Sequence, residues 1–60
     1  MDTSAILLAL VADGLPVESV ADTNGTINGL DFDPQPGQTL TPEQIAQARQ
    51  IAEQVIAEQD

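Results

Sequence analysis

The side chains able to do chemistry in this chain are almost all carboxylates. Ten Asp and Glu residues face a single cation, Arg49, and His, Cys, Tyr and Trp are absent. With lysine also missing, most of the usual general bases, nucleophiles and zinc ligands are not there. Carboxylate pairs such as Asp31 and Asp33 can do acid–base work in principle. That chemistry needs one carboxyl buried deeply enough to titrate far from its ordinary range, and 60 residues offer little depth. The expectation is a solvated acidic edge that discourages strand pairing, with no catalytic residue and no enzymatic activity.

A second place to look is the stretch Asp22-Thr23-Asn24-Gly25-Thr26-Ile27-Asn28-Gly29-Leu30-Asp31-Phe32. It resembles the calcium loop of dockerin-type EF-hands, with Asp22 and Asn24 as the first two ligands. Residues 26–28 and Asp31 match the second half of that loop. The match requires a two-residue deletion where the family carries its third ligand and central glycine. Aligned without a gap, Ile27 falls on the glycine position, which needs an unusual backbone. A loop this short cannot wrap about six or seven oxygens around the ion. Asp22, Asn24 and Asp31 are candidate ligands, but the chain is expected to hold neither a metal nor a cofactor, and the plainer reading is an Asn-Gly hairpin turn.

Four segments must carry these groups. Residues 4–13 read as a short helix, with Thr3 or Ser4 as its cap, Asp2 complementing its N-terminal dipole and Gly14 supplying a left-handed stop. Its Leu and Ala content favours helix over a buried strand. Residues 17–32 read as a β-hairpin whose strands, 17–22 and 26–32, flank Asn24-Gly25, a strong two-residue turn signal. That turn pairs Val17 with Phe32 and Ser19 with Leu30 on one face, and Asp22 with Ile27 on the other. A second Asn-Gly at Asn28-Gly29 leaves the register open. Residues 33–40 form a link held extended by Pro34 and Pro36. Residues 42–58 form an amphipathic helix. Thr41 caps it, Pro42 takes the first helical position, Gln44 completes a capping box and Leu40 with Ile45 forms a hydrophobic staple. Ile45, Ala48, Ile51, Ala52, Val55 and Ile56 make its apolar stripe, while Gln47, Gln50, Glu53, Gln54 and Glu58 face water. The whole is expected to be one small α+β domain over residues 1–60.

Composition narrows the partners. A net charge of −9 repels phosphate backbones, which need Lys and Arg to displace counterions. The one aromatic residue, Phe32, offers no stacking platform for single strands. Nucleic acid and anionic membrane surfaces are therefore not expected partners, whereas a basic protein surface is attracted. The apolar run at residues 5–12 resembles a signal h-region. Asp2 stands where a positive charge belongs, however, and Val11-Ala12-Asp13 is a poor cleavage site. The run is also too short to span a bilayer. The expectation is a soluble mature chain beginning at Met1. Because residues 5–11 are apolar at every position, the first helix has no polar face, and one hairpin and one helix cannot wrap it completely. Some of Ile6, Leu7, Leu10 and Val11 are expected to form an exposed patch that binds a protein partner or a second copy.

The order of elements also resembles a known group. A short apolar start (residues 6–10), a hairpin ending in an aromatic (27–32), Pro34-Gln35-Pro36 and the helix start Thr41-Pro42-Glu43-Gln44-Ile45 are similar to the short tail-region proteins of tailed bacteriophages, of which the XkdW-like group is one. Phe32 stands where such proteins often carry Trp, and residues 37–40 lengthen the link. The resemblance implies a structural or accessory role in the virion or in tail assembly, located in the host cytoplasm or the particle, and transfers no catalytic residue. The reading carried forward is a non-catalytic protein-binding module. The alternatives are an acidic charge mimic that inhibits a nucleic-acid-binding host protein and a degenerate calcium module.

Overall fold

The computed structural model describes residues 2–23, 25 and 29–59. The chain runs through helix α1 (Thr3–Ala12), strands β1 (Val17–Asp22) and β2 (Leu30–Pro34), and helix α2 (Pro42–Gln59). This is the α+β arrangement expected from the sequence, with β1 and β2 paired antiparallel.

Each helix begins where its cap chemistry dictates. The cap of α1 is Asp2 rather than Thr3 or Ser4. Asp2 is extended (φ −98°, ψ 98°), and its Oδ1 accepts the backbone N–H of Ser4 at 3.0 Å and of Ala5 at 3.4 Å. A carboxylate serves here better than a hydroxyl because it adds charge complementary to the helix dipole. At the other end, the Gly14 N–H donates to the Val11 carbonyl (3.0 Å) and the Leu15 N–H to the Leu10 carbonyl (3.1 Å). With Gly14 at φ 89°, this is a Schellman stop, and Leu15 and Leu10, the pair that such a stop brings together, are both buried. In α2 the capping box forms as the sequence predicts. The Gln44 N–H donates to Thr41 Oγ1 (3.1 Å), and the Thr41 N–H donates to Gln44 Oε1 (2.9 Å).

The helices lie side by side and antiparallel. At one end the Asp2 N–H donates to Gln59 Oε1 (3.3 Å); at the other the Gln47 amide donates to the Asp13 carboxylate. The two spans match, since helices of this kind rise about 1.5 Å per residue. Ile6, Leu10, Leu15, Val17, Leu30, Ala48 and Ala52 form one buried cluster. Leu7, Val20, Phe32, Leu40, Ile51, Val55 and Ile56 pack around it. The expected stripe of α2 is thus the face it buries, except Ile45, which is 37% exposed.

The hairpin departs from its expected register. Val20 faces Phe32, Ala21 faces Asp31 and Asp22 faces Leu30, so each partner lies three residues beyond the one an Asn24-Gly25 turn would set. The Thr23 N–H still donates to the Gly29 carbonyl (3.0 Å), which makes the connection longer than two residues. Asn24 and residues 26–28, on which the two-residue turn and the pairing of Ile27 depend, lie outside the described residues. Between Val17 and Ser19 the ladder shifts by one residue, so that Val17 meets Pro34. A bulge of this kind changes the alternation of faces. Val17 and Val20, three apart in sequence, now both face the core with Leu30 and Phe32. The two-residue turn would have sent Val20 to the opposite side. Burying the extra Val outweighs local turn preference. As a second correction, Asp33 and Pro34 belong to β2 rather than to the link.

Candidate interaction surface

A helix turns about 100° per residue, so Ile6 and Leu10 share one stripe and Ser4, Leu8, Val11 and Ala12 share the opposite one. The structure uses this division fully. Ile6 and Leu10 are 0% exposed, whereas Leu8 is 72% and Val11 49% exposed. Of the four expected contact residues, Ile6 and Leu10 are therefore core and Leu7 is half-buried against it; only Val11 lies in the open. The reason is that the hairpin and α2 both pack on the Ile6–Leu10 side. Leu8 is the residue that sequence reasoning missed. Its signal was Ser4, four positions earlier and the polar member of the same stripe. The face carries no charge, because α1 has no ionisable residue from Thr3 to Ala12, while Asp2 and Asp13 stand at its two ends. Ile45 lies at the Asp13 end of the helix pair, one half-turn before Gln47.

The hairpin offers a second, chemically opposite surface. In the observed register Ser19, Ala21 and Thr23 share a face with Asp31 and Asp33. Ser19 Oγ donates to Asp33 Oδ2 (3.0 Å) and Thr23 Oγ1 donates to Asp31 Oδ2 (3.2 Å). Both carboxylates are exposed, so the face is solvated and negative.

The same register separates the candidate calcium ligands. Asp22 pairs with Leu30 and Asp31 with Ala21, and adjacent pairs of an antiparallel ladder point to opposite faces. Asp22 also turns inward along its own loop, its Oδ1 accepting the Gly25 N–H at 2.6 Å. Asp22 and Asp31 thus do not converge on one ion. The third candidate, Asn24, lies outside the described residues. Among the described residues no three acidic, His or Cys side chains come together, and no helix is long and apolar enough to cross a membrane. Comparison with models of known families, with curated proteins and with solved structures finds no match.

Proposed function

We propose that the chain is a non-catalytic protein-binding module that docks through the outer face of α1. The observation that carries this reading is Leu8, 72% exposed beside Val11 on a helix with no charged residue. Water gains nothing from that face and the core does not need it. The occupant is a partner protein with an apolar cleft rimmed by Lys or Arg. The cleft takes Leu8 and Val11, and the cationic rim is drawn by the net charge of −9. A second copy is a poorer occupant, since each chain brings a net charge of −9. The resemblance to phage tail-region proteins supplies a setting, a virion or tail-assembly surface.

A second reading rests on the hairpin. Asp31 and Asp33 exposed on one face, two residues apart, support an acidic mimic that occupies a basic, nucleic-acid-binding surface. One experiment separates the two. Wild type, Leu8→Lys and Asp31→Asn/Asp33→Asn are used to capture proteins from the native source, followed by mass spectrometry. A partner lost with Leu8→Lys and retained by the Asn variant supports docking through α1. The opposite pattern supports the mimic, and a partner held equally by all three overturns both.

A further inference from the structure

The hairpin has an outer edge with which no other strand among the described residues pairs. Among the described residues the sheet consists of β1 and β2, and the packing of α1 on the sheet is centred on β1. Which backbone groups point outward follows from the ladder. Thr23 and Gly29 are a hydrogen-bonded pair (3.0 Å), so stepping by two makes Ala21–Asp31 and Ser19–Asp33 hydrogen-bonded pairs as well. The Gln35 N–H continues the series by donating to the Pro16 carbonyl (3.0 Å). The odd-numbered residues of β2 therefore aim their backbone groups at β1, and Leu30, Phe32 and Pro34 aim theirs away from it. Pro34, lacking an N–H, sits at an outward position, where a proline in a sheet is tolerated. The outer edge of β1 differs, because its bulge at Glu18 and Ser19 breaks the regular spacing.

We propose that the outer edge of β2 accepts a strand of a partner protein in which basic and apolar side chains alternate. This surface is separate from the outer face of α1, and the inference goes beyond the docking proposed there. A strand laid along Leu30–Pro34 bonds to the N–H and C=O groups of Leu30 and Phe32 in the manner of β-augmentation. On the solvent side its residues stand opposite Asp31 and Asp33, which are exposed and two positions apart. Cations there are attracted across the strands. On the core side the residue between them covers Phe32, which is only half-buried. A second copy of this chain is excluded as the occupant: two β2 edges paired antiparallel set Asp31 and Asp33 of one copy against the same residues of the other. Like charges directly opposite each other oppose pairing.

The test uses the full chain, labelled with ¹⁵N, and synthetic peptides of alternating Lys and Val or alternating Glu and Val. The Lys peptide is expected to shift the amides of residues 30–33 and to protect those of Leu30 and Phe32 from hydrogen exchange; the Glu peptide is not. A Lys peptide N-methylated at alternate residues on its pairing side is expected to lose binding, which separates strand pairing from plain charge attraction. Asp31→Lys/Asp33→Lys, both at exposed positions, is expected to bind the Lys peptide about tenfold more weakly and to prefer the Glu peptide. Leu8→Lys is expected to bind as wild type does. Binding that survives N-methylation, shifts spread over the whole acidic surface, loss of binding in Leu8→Lys, or no binding at all would each overturn the proposal.

Discussion

The two helices bury similar stripes and spend the rest of their surfaces in opposite ways. α1 buries Ile6 and Leu10, and α2 buries Ala48 and Ala52, each pair one turn apart and 0% exposed. Large side chains on one helix share a buried cluster with small ones on the other, a pairing that lets two helices approach closely. Away from the contact, α2 presents Gln47, Gln50, Glu53, Gln54 and Glu58 to water, all of them exposed. α1 presents Leu8 and Val11. Folding explains the first surface, because a helix with charged and amide residues outward is soluble and stays in register. It does not explain the second. The docking surface proposed above accounts for a residue that contributes nothing to the core.

The largest difference in stability is expected between truncations at Leu10 and at Leu8. Leu10→Ala removes a fully buried side chain and is expected to cost about 2–5 kcal/mol. A domain of this size holds only about 3–5 kcal/mol in total, so the variant is expected to be largely unfolded by circular dichroism at room temperature. Leu8→Ala is expected to move the urea midpoint by less than about 0.5 kcal/mol equivalent. Equal losses at the two positions would mean that both faces of α1 are packed and that no free face exists.

The contrast on the other helix is next in size. Ala48 is 0% exposed within the core cluster, so Ala48→Leu is expected to destabilise by about 1–3 kcal/mol through overpacking. Ala46 is exposed, and Ala46→Leu should leave stability nearly unchanged. Urea titrations of both variants check this. If Ala48→Leu is neutral, the helices are not in close contact at that turn.

What could be read in advance follows the same division. α2 was legible almost to the residue, because its signals are local: Thr41, Pro42 and Gln44 specify the start, and a three-four apolar spacing specifies the buried face. The existence of α1 was legible for the same reason, through Gly14 and its Leu and Ala content. Its inward face was not, because an all-apolar run carries no contrast and only the distant sheet and α2 decide between Leu10 and Leu8. The hairpin shows the limit most clearly. Asn24-Gly25 is a strong local signal, yet the pairing obeys the need to bury Val17 and Val20 together, which takes a bulge between Val17 and Ser19. Asp22 and Asp31, near each other in sequence, ended on opposite faces through that same change of register.

Smaller effects are expected at the caps. Thr41→Ala removes a hydroxyl that accepts one N–H, and Asp2→Ala removes a carboxylate that accepts two. Each is expected to cost about 1 kcal/mol, with unchanged m-values in urea. The relative size of the two losses reports how far each helix depends on its cap. Asp2 also supplies charge at a helix whose own sequence has none, so its loss is expected to equal or exceed that of Thr41. A clear excess for Thr41→Ala would show that α1 is held by its tertiary contacts and hardly at all by its cap.

The smallest expected effect on stability belongs to the substitution with the largest expected effect on binding. Leu8→Lys places a cation at a position already 72% exposed, in a helix where Lys is nearly as favourable as Leu. It also lowers the magnitude of a net charge of −9 and so relieves self-repulsion. The urea midpoint is expected to change by less than about 0.5 kcal/mol equivalent, in either direction. A partner cleft lined with apolar groups and rimmed by cations responds quite differently. It must desolvate the new ammonium group and bring it beside charges of the same sign, and each of those terms opposes binding. Association with the captured partner is therefore expected to fall at least tenfold while far-ultraviolet circular dichroism is unchanged. Leu8→Met, which keeps the apolar volume, is expected to retain binding. If Leu8→Lys binds as tightly as wild type, the exposed side of α1 is as passive as the Gln and Glu face of α2, and the difference between the helices has no functional meaning.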